Sequence, residues 1–206
     1  MLVILALAAG VCAGDGQGQQ RNAPVGTRKE ATMATLQGKK VLMVIAAKNF
    51  RDEELLKPYA VLTAEGAQVT IACSTLSPVK GMLGHIAKPD LLLKDAKVDD
   101  YDAVVFVGGV GAVEYWNNPT AHAVVKAVVA SGKVLGAICM APVTLANAGV
   151  LQGRRATVWE SEGPKLTARG AKYYGTPLEV DGKIITADGP TSAEAFGRAI
   201  AQALTK

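Results

Sequence analysis

With 206 residues, half of them hydrophobic, the chain is long enough for one domain with a sizeable core and is too apolar for a disordered or fibrous protein. The net charge of +4 comes with no dense Lys/Arg cluster, which excludes the electrostatic footprint of a nucleic-acid binder. Three cysteines without a C-x-x-C pair, and only two histidines, argue against a disulfide framework and a zinc site, so no metal is expected.

Residues 2–13 form an apolar run, too short to span a bilayer as a helix. The run reads as the apolar core of a signal peptide, with Val11 and Ala13 fitting a small-x-small cleavage site, so the protein is expected to be exported. Met33 offers an alternative, cytosolic start. Residues 14–38 are rich in Gly, Gln and Thr without apolar period and read as a flexible linker, with the domain beginning at Lys39.

From Lys39 onward, buried strands alternate with helices. Val41–Ala47 is a continuous apolar run, as for a central parallel strand. Asp52 is placed to cap the following helix, with Glu53 and Glu54 in its first turn and Gly66 at its end. Val69–Cys73 is a second strand, Val79–Ile86 an irregular extended segment, and Ala103–Val107 a third strand ending at Gly108-Gly109. Asn118-Pro119 opens a helix that runs through Ser131. Val134–Ile138 is a strand and Met140–Ala148 a helix; Arg155–Trp159 reads as a short strand. Leu178–Ala187 predicts a hairpin turning at Asp181-Gly182. Thr191 and Glu194 form a capping-box pattern for the last helix. The alternation predicts an α/β fold: a mostly parallel sheet with helices on both faces. Ligands of such sheets bind beyond the carboxyl ends of the strands, which directs attention to residues 49–54, 108–114 and 139–142.

Ala137-Ile138-Cys139-Met140-Ala141 is a small-x-nucleophile-x-small pattern between a strand and a helix, the device of the nucleophile elbow with Cys in place of Ser. A helix start behind the turn favours thiolate. Cys73 ends a strand without such an elbow and reads as a small core residue. Glu54 is early enough in its helix to face the same crevice, and a carboxyl beside a thiolate tends to hold its proton; by position alone a plain dipole-complementing role is equally good. Gly108-Gly109-Val110-Gly111 lacks the dinucleotide spacing, because position 114 is Glu, so no cofactor is expected. Gly109 is better read as a place where a backbone N–H approaches an oxyanion. His85 lies in an irregular segment within conceivable reach of the site, and His122 on an amphipathic helix reads as a surface residue.

Four stretches in order resemble the ThiJ/PfpI family, also called the DJ-one/PfpI superfamily: NFRDEELLKPY (49–59), VFVGGVGA (105–112), AICMAPVTLANAGVL (137–151) and IITADGPTSAEAFG (184–197). The resemblance implies a flavodoxin-like three-layer sandwich with a class I glutamine amidotransferase-like fold, assembled as a homodimer or higher homo-oligomer. It implies that Cys139 is the nucleophilic, oxidisable cysteine, that Glu54 hydrogen-bonds it, and that the Gly109 and Met140 amides form an oxyanion hole. Four departures stand out. The peptidase-type cysteine is followed by His, whereas Met140-Ala141-Pro142 follow here. Arg51 stands where many members carry an acidic residue. Val107 replaces a proline, and Asp188 a basic residue.

The reading expected from all this is a cofactor-free, cysteine-dependent stress enzyme acting on small reactive carbonyls, of glyoxalase or deglycase type, with no nucleic-acid partner and no membrane span. The alternatives are a redox-sensing, chaperone-like protein working through Cys139 oxidation, a peptidase or amidase borrowing a distant histidine such as His85, and a catalytically silent relative.

Overall fold

A computed structural model describes residues 36–206. The expected signal peptide and most of the expected linker lie outside the described residues. Packing begins by Leu36, ahead of the expected boundary at Lys39: its side chain is fully buried and its amide donates to the Glu65 carbonyl at 2.6 Å.

The strands are β1 (Lys40–Val44), β2 (Gln68–Cys73), β3 (Val79–Lys80), β4 (Ile86–Ala87), β5 (Leu91–Leu92), β6 (Ala103–Phe106), β7 (Val134–Ile138), β8 (Arg155–Ala156), β9 (Lys172–Tyr173), β10 (Leu178–Asp181) and β11 (Ile184–Ala187). The helices are α1 (Asp52–Ala64), α2 (Pro119–Ala130), α3 (Pro142–Asn147), α4 (Gly163–Ala168) and α5 (Ala193–Leu204). Seven strands form one sheet in the order β10-β11-β7-β6-β1-β2-β5. All neighbours are parallel except the β10–β11 hairpin at the edge. This is the α/β architecture expected from the alternation.

Strand periodicity sorts the core into two layers. Leu42, Val44, Val104, Phe106 and Leu135 pack on one face with Val125, Val128 and Leu145 from α2 and α3. Val41, Met43, Val105 and Ile185 pack on the other with Leu55 and Leu62 of α1 and Phe196 and Ile200 of α5. Helices on both faces explain why the central strands are continuous apolar runs and not alternating ones.

Local signals fared unevenly. Asn118 caps α2 as expected, its side-chain oxygen accepting from the Ala121 amide at 3.0 Å. The cap of α1 is different: Arg51 occupies that position without a side-chain capping bond, and Asp52 is the first helical residue. The expected capping box at Thr191 does not form. A 3-10 turn over Pro190–Ser192 leads into α5, and the Ser192 hydroxyl donates instead to the Asp188 carboxylate at 2.6 Å. The helix after β7 starts at Pro142, not Met140, and is only six residues long. The irregular segment after β2 closes as a small antiparallel pair, β3 with β4. The short strand at Arg155 pairs in parallel with β9.

Sheet order positions the site. From β1 the chain moves out to β2 and β5, then returns to β6 on the other side of β1. The loops leaving β1 and β6 therefore part in opposite directions, and a crevice opens between them. Strand β7, next to β6, delivers the residue that follows it, Cys139, to the same place.

Candidate active site

Cys139 follows the last residue of β7 with φ of 59°, a left-handed conformation that a non-glycine residue adopts at a cost of about 1–2 kcal/mol. Long-range hydrogen bonds hold it there: its amide donates to Ala187 in β11 at 2.9 Å, and its carbonyl accepts from Trp159 at 2.9 Å. The Met140 carbonyl accepts from the Trp116 indole, also at 2.9 Å, which fixes the next peptide of the turn. The expected elbow is thus present in its backbone.

Glu54 reaches this thiol because of helix periodicity and one anchor. Glu54, Pro58 and Leu62 share the inward face of α1, and Glu54 is fully buried. The Arg51 amide donates to the Gly108 carbonyl at 3.0 Å, tying the start of α1 to the end of β6. Gly108 makes the meeting possible. A Cβ there would fall 2.5 Å from a Glu54 carboxyl oxygen and 2.6 Å from the Cys139 Cβ. Gly109, with φ of 91°, is equally constrained, since a Cβ would lie 2.5 Å from the Arg51 nitrogen.

The electrostatics follow from burial. Neither Glu54 oxygen has a partner in good hydrogen-bond geometry, although the Cys139 thiol and the Gly108 amide are near enough to act on it. Loss of water pushes its carboxyl up to about 8 against the pull of those two neighbours. The Cys139 thiol is pushed up to about 12, by burial first and by the Glu54 charge second, while the Gly109 and Met140 amides pull it down. This corrects the expectation of a thiolate at neutral pH: the thiol is only 7% exposed, and the short α3 behind it is a weak source of positive potential. The two groups titrate as a pair. The first proton leaves near 8 and the second near 12. In the form that holds one proton, a proton on Glu54 leaves Cys139 as a thiolate facing two backbone donors.

Cys139, Glu54, Gly109 and Met140 line one cavity of about 220 Å³, walled otherwise by Arg51, Met82, Val110, Trp159 and Pro190. No local signal points to Trp159 or Met82, since both arrive from segments with no motif. Met82 comes from the loop between β3 and β4, which Asp52 pins: its carboxylate accepts from the Leu83 amide at 2.8 Å and the His85 amide at 2.7 Å. Burial works to raise the Asp52 carboxyl, but these amides outweigh it and hold it below the usual range. His85 does not line the cavity; its ring meets Phe50 edge-on and it is exposed. His122 contacts the Trp116 carbonyl at 2.9 Å. A Cys–His pair is therefore absent from the described residues that line this site. Those residues also hold no cluster of metal-ligating side chains, and no described helix is long and apolar enough to cross a membrane.

The model of the DJ-1/PfpI family matches residues 39–203. The chain belongs to this family. An uncharacterised protein of Methanocaldococcus jannaschii is 38% identical over 209 residues, covering 100% of this chain and 96% of that protein. A glutathione-independent glyoxalase of Caenorhabditis elegans is 31% identical over 81% of this chain and 89% of its own length. A deglycase of Pyrococcus abyssi is 29% identical over 76% of this chain and 95% of its own. Among solved structures of the family, a ThiJ/PfpI domain protein from Brachyspira murdochii superposes with a TM-score of 0.79 at 28% identity, covering 81% of this chain and 98% of that one.

Proposed function

We propose that the protein is a cofactor-free enzyme that converts small 2-oxoaldehydes to 2-hydroxy acids, or reverses their early adducts, through Cys139 and Glu54. The observation that carries this reading is a nucleophile and a proton carrier buried side by side, at the wall of a small cavity, with two amides on the nucleophile. Relatives named glyoxalase and deglycase agree with it.

The thiolate adds to the aldehyde carbon, and the resulting alkoxide is held by the Gly109 and Met140 amides and takes up a proton as a hemithioacetal. Glu54, as carboxylate, removes the hydrogen of that carbon as a proton and returns it to the neighbouring carbonyl carbon, while the enediol between them rearranges to a thioester. Water then cleaves the thioester, releasing the 2-hydroxy acid and the thiol. The net change is addition of one water with an internal redox exchange, so no external oxidant or cofactor enters. A carboxyl that titrates near 8 suits a group that must both take and give a proton near neutrality.

The test is methylglyoxal consumption with lactate formation by the full chain, beside Cys139→Ala and Glu54→Gln. Lactate from the wild type, lost in both variants, is the expected result. Wild-type turnover retained by Cys139→Ala overturns the mechanism.

The same neighbours support a second reading, oxidation of Cys139 by peroxide to a sulfinate that a protonated Glu54 stabilises. Mass spectrometry after mild peroxide treatment is expected to find two added oxygens on the Cys139 peptide alone, and their absence removes this reading.

A further inference from the structure

We infer that Arg51 selects the substrate, and that the preferred 2-oxoaldehydes carry a carboxylate some carbons away from the reacting aldehyde. The inference rests on the carbonyl chemistry proposed above and adds the class of molecule on which it works.

Among the described residues, Arg51 is the single cation on the wall of the Cys139 cavity, and Glu54 is the single acid. Glu54 is fully buried and holds its proton through neutral pH, so it contributes no negative charge there. The remaining side-chain wall, Met82, Val110, Trp159 and Pro190, offers no charged partner. An anionic substituent on the ligand thus has one place to go.

The guanidinium is held for such a role. Glu53 accepts from its Nε at 2.7 Å and its Nη2 at 3.1 Å. That side-on pair orients the planar group and leaves Nη1 and the second N–H of Nη2 without another side-chain bond among the described residues. The free end is the fork that meets a carboxylate with two parallel hydrogen bonds. With the Arg51 side chain 28% exposed, such a bond forms in a partly desolvated setting and outweighs a surface ion pair. The backbone fixes the reach as well. Arg51 immediately precedes α1 and its amide is bound to the Gly108 carbonyl, so the residue that would read the substrate's tail is anchored beside the glycine pair next to the nucleophile. Methylglyoxal, with only a methyl beyond its carbonyls, leaves this wall unused.

The test compares 4,5-dioxovalerate, a 2-oxoaldehyde ending in a carboxylate, with methylglyoxal on the full chain. The wild type is expected to favour dioxovalerate in kcat/KM. Arg51→Met is expected to lower that preference by about tenfold or more, mainly through KM, with Arg51→Lys in between because it keeps the charge and loses the fork. Thermal melting of each variant confirms folding. A preference unchanged in Arg51→Met overturns the inference while leaving the carbonyl chemistry standing. If the wild type turns over neither compound, the carbonyl reading fails and calorimetry with 2-hydroxyglutarate decides the rest. Binding weakened by about tenfold in Arg51→Met sustains an anion-selecting Arg51, and no binding, or binding indifferent to Arg51, overturns it.

Discussion

Two cysteines sit at the ends of two strands of one sheet. Cys73 ends β2 and Cys139 follows β7, and both are buried among apolar neighbours of the same core layer. Only Cys139 has a left-handed backbone, a buried carboxyl beside it and a cavity in front of it. Cys73 is fully enclosed and continues the strand. A thiol at a strand's carboxyl end therefore does not by itself face a cavity. The turn that lifts Cys139 from the sheet, and the helix that brings a buried carboxyl beside it, make the difference.

The largest expected effect separates the two thiols directly. Cys139→Ala should cut methylglyoxal turnover at least about a hundredfold, whereas Cys73→Ala should keep it and cost only about 1 kcal/mol of stability, for the small volume removed. Equal losses in the two variants would break the comparison.

Alkylation should sharpen it. Iodoacetamide is expected to label Cys139 far faster than Cys73 in the native protein, with a rate that rises as pH passes through about 8, where the Cys139–Glu54 pair loses its first proton. Peptide mapping after labelling reads both sites at once.

Stability comes next. A carboxyl raised from 4.5 to about 8 binds its proton in the folded state after the unfolded chain has lost it. Stability should therefore fall as pH rises between those values, by up to about 1.4 kcal/mol per pH unit from this group, and show no contribution from it below 4.5. Glu54→Gln should flatten that slope and raise stability at pH 7 by about 2–3 kcal/mol while abolishing turnover. Urea melts across this range check both. A stabilised but inactive variant marks a residue kept for chemistry at the expense of the fold.

The smallest effect belongs to Asp52, a buried acid of the opposite kind. Its folded pKa is lowered, so its contribution is present above the unfolded value of 3.8 and is lost as pH falls through the folded one. Asp52→Asn should cost about 1–2 kcal/mol and speed amide exchange at Leu83 and His85, with turnover reduced mainly through KM as Met82 loosens.

Much of the sheet was legible because its signals are local. Val134–Ile138 was placed residue for residue, since an apolar run bounded by Gly132 and the Cys139 turn permits little else. Asn118-Pro119 marked α2 because cap and first-turn chemistry are decided within four residues. The elbow at Cys139 showed in its small flanking residues. Asp52 and Thr191 were misread for one reason: each resembles a helix cap, and the bond made there was settled elsewhere. The amides of the 81–85 loop claimed Asp52, while Ser192 and Asp188 paired with each other beside Thr191. A short strand was legible at Arg155, but its partner β9 and the β3–β4 pair were hidden, because two-residue strands have no period to read.

Periodicity, turn residues and motif order are properties of neighbouring positions, so the alternating strands and helices, the family, and the reactive residue types can all be read along the chain. The state of those residues depends on packing between distant segments. Burial, a sum over distant segments, keeps Glu54 protonated and Cys139 a thiol near neutrality, where local reasoning from a helix start expected a thiolate. The order of strands decided which side chains share the cavity, seating Arg51, Met82 and Trp159 in it and leaving His85 out.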